Sequence, residues 1–174
     1  MTGFNPFRLN VGFIAAEEVG YQRDFDLSTP AVRLDDLDAQ DVNGMATVSR
    51  TPQGLLVHVH LEAETPQVCS RCLTPFSQHL VADFEELYAF NDKAMTESGL
   101  RYPYTGILDL APLIREYLIL DIPISPVCRA DCKGLCPVCG ADRNHVNCGH
   151  HAAATDPRWD ALRALLSDSP PTGG

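Results

Sequence analysis

The sequence lacks the long apolar runs of membrane proteins and the pattern of an export signal. No stretch of about 18 consecutive apolar residues occurs, so no transmembrane helix is predicted. The first twenty residues contain one arginine, and Glu17 and Glu18 follow their apolar part, which is not typical of a signal peptide. We therefore expect a cytoplasmic location.

Basic residues are also scarce. The chain has 13 Lys and Arg against 23 Asp and Glu, a formal net charge of −10. A chain of this charge repels phosphate as a whole, which excludes a non-specific coat on nucleic acid but leaves room for a local basic contact. The segment 1–45 is the most acidic part, with eight carboxylates against three arginines.

The sequence contains none of the familiar catalytic patterns. It has no G-x-S-x-G elbow, no H-E-x-x-H pair and no phosphate-binding glycine loop. One H-x-E triplet, His60 to Glu62, lies within an alternating run, and Leu135 stands where a zinc deaminase would have the proline before its C-x-x-C. We therefore expect no enzymatic activity and no small-molecule substrate.

Alternation in the middle of the chain predicts an antiparallel sheet. Two β-favouring runs, 42–49 and 55–64, flank a Pro/Gly turn at 51–54. In the second run, apolar odd-numbered residues alternate with a polar face that includes His58 and His60, which we expect to be exposed. A third alternating run at 76–88 predicts a further strand.

Helical spacing appears after a polar loop at 91–106. The apolar positions from Leu110 to Leu118 predict an amphipathic helix near 109–121, with Asp109 as its N-cap and Pro123 after its end. Asp156-Pro157 predicts the start of another short helix.

These elements define the expected architecture. It is an α+β fold, an antiparallel β-meander body packed by one or two amphipathic helices, with a C-terminal Cys-rich zinc-binding segment. We expect the body to comprise residues 1–125 and the zinc-binding segment residues 126–151. A short helix and a disordered tail would follow at 152–174.

Five of the seven cysteines fall within the 21 residues from Cys128 to Cys148. Because reduced thiols are normal in the cytoplasm, this density indicates metal ligands rather than disulfides. The C-P-V-C-G turn at 136–140 suits zinc, since it brings two sulfurs to one ion. The favoured ligands close a compact local site: Cys132, Cys136, Cys139 and Cys148.

Other ligand sets remain open. Cys128 can replace Cys132, and His150 or His151 can replace Cys148. Alternatively, the second C-x-x-C, Cys69 and Cys72, can share one ion with the pair at 136 and 139. A thiol-rich set without a neighbouring general base favours a structural zinc, while a dithiol redox protein is a weaker alternative because no helical pattern follows either C-x-x-C.

Several motifs together resemble the bacterial YceD family, the large ribosomal RNA subunit accumulation proteins. They are C-S-R-C-L-T-P-F at 69–76, F-E-E at 84–86, L-D-L-A-P-L-I-R-E at 108–116, and P-V-C-R-A-D-C-K-G-L-C-P-V-C-G at 126–140 followed by Cys148. The resemblance extends over roughly residues 10–165. It implies a non-enzymatic cytoplasmic factor needed for accumulation of 23S ribosomal RNA and for biogenesis of the large subunit.

The charge pattern leaves two kinds of partner open. The basic residues near the cysteine motifs are Arg71, Arg129, Lys133 and Arg143, and residues 126–151 carry three cations against two carboxylates. This end of the chain is therefore the candidate contact for ribosomal RNA. A zinc-stabilised adaptor would instead bind a basic ribosomal protein through the acidic segment 1–45.

Overall fold

A five-stranded antiparallel sheet is the main element of the computed structural model, which describes residues 6–150. The order of its strands is β2-β4-β5-β6, with β3 also paired to β4, and β1 pairs with β7 in a separate two-stranded sheet. The elements are β1 (Arg8–Asn10), α1 (Gly12–Ala16), β2 (Gln22–Asp26), β3 (Thr29–Leu34), β4 (Leu37–Arg50), β5 (Gly54–Val68), β6 (Pro75–Ala89), a short 3-10 helix (Asp92–Ala94), β7 (Ile107–Asp109) and α2 (Ala111–Asp121). The chain divides into a first unit, Met1–Cys132, and a second unit, Lys133–Gly174.

The meander β4-β5-β6 confirms the three strands that alternation predicted, and each strand is longer than its pattern. In β5 the odd-numbered side chains from Leu55 to Ala63 are buried, whereas His58 and His60 are exposed. The same face of β6 buries Leu80, Ala82 and Phe84. One face of the sheet therefore forms the core of the first unit, and the other faces solvent.

Strand β4 pairs with β5 along one edge, and it is long enough to pair with both β2 and β3 along the other. Its C-terminal half pairs with β2, and its N-terminal half forms a hairpin with β3 in which Leu34 lies opposite Leu37. Asp35 adopts a left-handed conformation (φ 58°) in the connecting turn. A register shift between Gln40 and Asn43 separates the two halves in the pairing with β5, which is where a bulge bends a strand.

Helix α2 packs its apolar stripe on the sheet, as its spacing predicted. Ile114 and Leu118 are fully buried, and the Asp121 carboxylate accepts a 2.8 Å hydrogen bond from the Val81 amide of edge strand β6. The prediction that Asp109 is the N-cap is wrong. The N-cap is Leu110, because Asp109 still belongs to β7, although its carboxylate accepts the amide of Ala111 at 3.1 Å.

The described part of the second unit, residues 133–150, is built mainly from turns. Leu135 and Asp142 form an isolated antiparallel bridge, and the Asp142 carboxylate accepts the amide of Asn144 at 2.8 Å. The Asn144 side chain in turn accepts the amide of Lys133 at 2.9 Å. The expected domain limits at 125 and 151 stay predictions, and the helix expected from Asp156 lies outside the described residues.

Candidate metal centres

Four cysteines from distant parts of the chain meet in the first unit. Cys69 and Cys72 lie in the turn between β5 and β6, and Cys128 and Cys132 follow α2. The Cys69 and Cys132 sulfurs are 3.9 Å apart, and the Cys72 and Cys128 sulfurs are 3.7 Å apart. All four sulfurs lie within 4.8 Å of one another. We call these four residues the first cluster.

Hydrogen bonds hold the segment 126–132 against the β5-β6 turn. The amide and the hydroxyl of Ser70 both donate to the Pro126 carbonyl, at 2.8 and 2.7 Å. The Arg71 guanidinium donates to the carbonyls of Cys132 at 3.1 Å and of Ala130 at 3.4 Å. The two cysteine pairs of the first cluster are therefore brought together by the hydrogen bonds of Ser70 and Arg71 to nearby carbonyls as well as by their own packing.

A second group of metal-binding side chains lies wholly within the second unit. Cys136, Cys139, Cys148 and His150 each place one donor atom within 4.8 Å of the other three. Cys136 is buried, whereas Cys139 and His150 are exposed. We call these four residues the second cluster.

Backbone amides stabilise one thiolate in each cluster. The pKa of Cys69 is lowered to about 6, mainly because the Cys128 amide donates to its sulfur, with further amides from Cys72 and Arg71. The pKa of Cys136 is likewise lowered to about 6, by the amides of Cys139 and Val138. Each C-x-x-C turn therefore directs amides at its first sulfur, which favours the ionised form that binds metals.

Burial acts in the opposite direction on a neighbouring thiol. It raises the pKa of Cys128 to about 12 by desolvating the thiolate, and the neighbouring thiols of Cys72, Cys69 and Cys132 add to the shift because thiolates packed side by side are in conflict. A bound cation would remove this conflict by neutralising the thiolates together, so metal binding at neutral pH would release protons.

The geometry of the first cluster fits zinc. Tetrahedral zinc with Zn–S bonds of about 2.3 Å places its sulfur ligands about 3.8 Å apart. The sulfur separations of 3.7 Å (Cys72 to Cys128) and 3.9 Å (Cys69 to Cys132) lie on either side of that value. Thiolate and imidazole donors are those that zinc prefers, and each cluster supplies four of them.

The structure groups the expected ligands differently from the favoured set. Cys136, Cys139 and Cys148 lie together in the second cluster with His150, whereas Cys132 lies in the first cluster. Neither zinc binding nor a ligand set is tested by this grouping, and both stay predictions. Sequence reasoning missed the combination of Cys69 and Cys72 with the pair at 128 and 132, although the second C-x-x-C and the C-x-x-x-C spacing were its available signals.

The four candidate cations do not share one environment. Arg71 donates to backbone carbonyls in the first unit, and Arg129 lies 3.3 Å from the Asp131 carboxylate. Lys133 and Arg143 belong to the second unit and line one cavity of about 360 Å³. Among the described residues, neither of these two side chains forms an ion pair.

The exposed histidines of β5 bind a carboxylate of the next strand. His60 lies 2.9 Å from Asp83, and His58 lies 3.4 Å from the other oxygen of the same carboxylate. The hydrogen bond to His60 lowers the pKa of Asp83. Both histidines are exposed, as predicted.

Comparison with known proteins places the chain among ribosome-related sequences. The family model described as large ribosomal RNA subunit accumulation protein YceD matches residues 57–166, which confirms the resemblance that the motifs indicated. No solved structure matches the chain. Within residues 6–150, no helix has both the length and the apolar character needed to cross a membrane.

Mycobacterial proteins are among its relatives. The uncharacterized protein Rv2926c of Mycobacterium tuberculosis is 35% identical over 123 residues, which are 68% of this chain and 59% of that protein. The uncharacterized protein ML1660 of Mycobacterium leprae is 30% identical over 128 residues, which are 71% of this chain and 58% of that protein. The matched region thus spans less than two thirds of the length of these relatives.

Proposed function

The chain belongs to the YceD family, and on this premise we propose that it is a non-enzymatic cytoplasmic factor that promotes accumulation of 23S ribosomal RNA and biogenesis of the large ribosomal subunit. The observation that carries the proposal is the family match over residues 57–166, which includes both cysteine clusters. The description of the family concerns accumulation of the large-subunit RNA, not a reaction.

We further propose that the metal is zinc and that its role is structural. Each cluster offers four protein donors, the number found in closed structural sites, whereas catalytic zinc commonly has three protein ligands and a water. Bound zinc would supply a fixed tetrahedral cross-link between chain segments that have little core of their own. The chain's own residues set the positions of the donors through the amides around Cys69 and Cys136.

The proposed contact with ribosomal RNA is local and uses the second unit. Lys133 and Arg143 are exposed, line the same cavity, and form no ion pair within the described part of the chain. The amide side chain of Asn147 also lines that cavity and can donate to a phosphate oxygen. Because the rest of the chain is acidic, such a contact would bind only where the RNA presents a suitable backbone geometry.

A protein adaptor is the second candidate, and the solvent face of the sheet favours it. Strands β5 and β6 contain no Lys or Arg, and their exposed side chains include Glu62, Asp83 and Glu85. A basic ribosomal protein would complement that face. Co-purification of such a protein with background levels of RNA would support the adaptor over the RNA contact.

Crosslinking in cells with sequencing of the bound RNA tests the proposal directly. We expect enrichment of one region of large-subunit RNA, and loss of that enrichment in Lys133→Glu with Arg143→Glu. A strain that lacks the protein and is complemented with this variant should accumulate less mature 23S RNA. The matched control reverses two exposed cations of the first unit, Arg8→Glu with Lys93→Glu, which changes the net charge equally.

The zinc content and thermal midpoint of both double variants should equal those of the wild type, so that a loss of RNA reports the contact. Equal RNA enrichment in the two double variants would contradict a contact at Lys133 and Arg143. Normal 23S RNA levels in the strain without the protein would contradict the function itself.

A further inference from the structure

The two C-x-x-C turns have the same backbone geometry. In each turn the amide of the first cysteine donates to the carbonyl five residues later, at 3.0 Å from Cys69 and 2.8 Å from Cys136. The amide four residues after that cysteine donates back to the cysteine carbonyl, at 2.9 Å in both turns. The first sulfur of each turn also accepts from the amides two and three residues later.

The residue after the second cysteine is left-handed in both turns. Its φ is 72° at Gly140 and 59° at Leu73. Glycine adopts this conformation readily, whereas a leucine does not, and the Leu73 side chain is 61% exposed and gains little burial there. The shared requirement is therefore the turn itself, which aims two sulfurs at one point.

We propose that each C-x-x-C turn binds its own zinc ion, so that the chain holds two zinc ions at independent sites. The first cluster is a site of four cysteines, and the second cluster is a site of three cysteines and one histidine. This goes beyond the proposed function, since it holds whether or not the protein contacts RNA.

The number and grouping of the cysteines support two ions. The chain has seven cysteines, four in the first cluster and three in the second, and His150 completes the second tetrahedron. If both C-x-x-C turns shared one ion, its four ligands would be Cys69, Cys72, Cys136 and Cys139. This arrangement would leave Cys128 and Cys132 without a metal, although their sulfurs lie 3.7 and 3.9 Å from those of Cys72 and Cys69.

The two ions have different structural consequences. The first links residues that are 56 and 63 positions apart, so it ties the β5-β6 turn to the segment after α2. Closing a long loop restricts the unfolded chain more than closing a short one, although the gain rises only slowly with length. The second ion links residues 136–150 only, so its loss should affect the second unit alone.

Accessibility distinguishes the ions as well. Three of the four ligands of the first cluster are buried, whereas two of the four ligands of the second cluster are exposed. A chelator in solution reaches exposed ligands first. We therefore expect the ion of the second cluster to be released faster than the ion of the first.

Native mass spectrometry of the full chain, purified under reducing conditions without chelator, tests the stoichiometry. We expect two zinc ions per wild-type chain. Cys69→Ser with Cys72→Ser should retain one, and Cys136→Ser with Cys139→Ser should retain the other. X-ray absorption at the zinc edge should report seven sulfurs and one imidazole nitrogen over the two ions.

The Cys132→Ser variant tests whether Cys132 binds the same ion as Cys69 and Cys72 or the same ion as Cys136 and Cys139. If Cys132 belongs to the first cluster, the single change weakens only the ion of that cluster. The triple variant Cys132→Ser, Cys136→Ser and Cys139→Ser should then hold no zinc ion, or one weakly held ion. One zinc in the wild-type chain would overturn the proposal, and because this measurement needs no variant, it stands even if a variant fails to fold. Two ions that are both lost in either double variant would overturn their independence.

Discussion

The Tyr117 ring of α2 stacks on the Phe84 ring of β6, with centroids 4.3 Å apart and planes inclined by 11°. The Tyr117 hydroxyl also donates, at 3.3 Å, to the carboxylate of Glu86, which lies on β6 like Phe84. Together with the buried stripe of Ile114 and Leu118, these contacts fix the helix on the sheet. The chain that leaves α2 then continues to the segment that carries Cys128 and Cys132.

Leu118→Ala is expected to destabilise the protein because Leu118 is fully buried under the sheet. Large-to-small changes at such sites cost about 2–5 kcal/mol through lost burial and a residual cavity. Leu120→Ala on the same helix is the control, since Leu120 is 76% exposed and its change should stay within about 0.5 kcal/mol. Urea unfolding followed by circular dichroism measures both, and equal effects would contradict the described orientation of α2.

The ion pair between Arg115 and Asp36 predicts a pH-dependent contribution to stability. The hydrogen bond from Arg115, at 2.6 Å, lowers the pKa of Asp36 from its usual 3.8. Because the folded pKa is the lower one, the stabilisation is present above the usual pKa and is lost as the pH falls through the folded pKa. Both side chains are partly exposed, so the effect is expected to be small.

Asp36→Asn should therefore lower the free energy of unfolding at pH 7, and the difference from the wild type should shrink below about pH 4. A double-mutant cycle with Arg115→Gln measures the coupling of the pair, and after Asp36→Asn the second change should remove only the longer contact of Arg115 with Asp35 at 3.9 Å. A difference between wild type and Asp36→Asn that is the same at pH 7 and pH 3 would contradict the linkage to Asp36.

Local patterns predicted the elements whose surroundings repeat regularly. The sequence predicts strand β5 because its odd-numbered residues lie in the core and its even-numbered residues face solvent, which gives a clear alternation. The sequence does not predict strand β2, because this strand is short and mostly exposed and therefore has no alternating pattern. It is a strand because it pairs with β4. The N-cap of α2 was misplaced by one residue because Asp109 ends β7, yet its carboxylate still accepts an amide from the first turn of the helix.

The grouping of the cysteines shows a second limit of prediction from sequence, which concerns contacts between distant parts of the chain. Spacing indicates which cysteines lie in one turn, as it did for Cys136 and Cys139, but not which turn meets which distant pair. Cys132 is four residues from Cys136 in sequence, yet its sulfur lies 3.9 Å from that of Cys69. The hydrogen bonds from Ser70 and Arg71 to residues 126–132 place it there, and such long-range contacts leave no periodic signal in the sequence.

Metal removal should affect the described parts of the chain unequally. Under reducing conditions with a strong chelator, we expect the β5 core to keep its amide protection, because the alternating side chains from Leu55 to Ala63 are buried without any metal. Residues 69–72 and 126–150 should lose protection, since turns and cysteines supply most of their order. Hydrogen exchange with mass spectrometry measures this, and uniform loss of protection across the sheet would contradict a self-sufficient core.

Arg71 is predicted to position the first cluster rather than to contact a partner. One terminal nitrogen of its guanidinium donates to the carbonyls of both Ala130 and Cys132, which joins the β5-β6 turn to that segment through a long, planar side chain. Arg71→Met keeps the aliphatic stem and removes the donors, at an expected cost of about 1 kcal/mol in unfolding free energy. It should also speed zinc release from the first cluster, measured with a chromogenic chelator.

Arg71→Lys distinguishes positioning from charge. If Arg71 only supplied a positive charge to a partner, the lysine variant would restore partner binding and would leave zinc release unchanged from the wild type. If Arg71 holds the segment 130–132 in place, the lysine variant should release zinc faster than the wild type although the net charge is preserved. Arg8→Met serves as the control, because Arg8 is exposed on β1 and forms no ion pair among residues 6–150. Equal zinc release from the wild type and from the Arg71→Met variant would show that the first cluster keeps its geometry without this side chain.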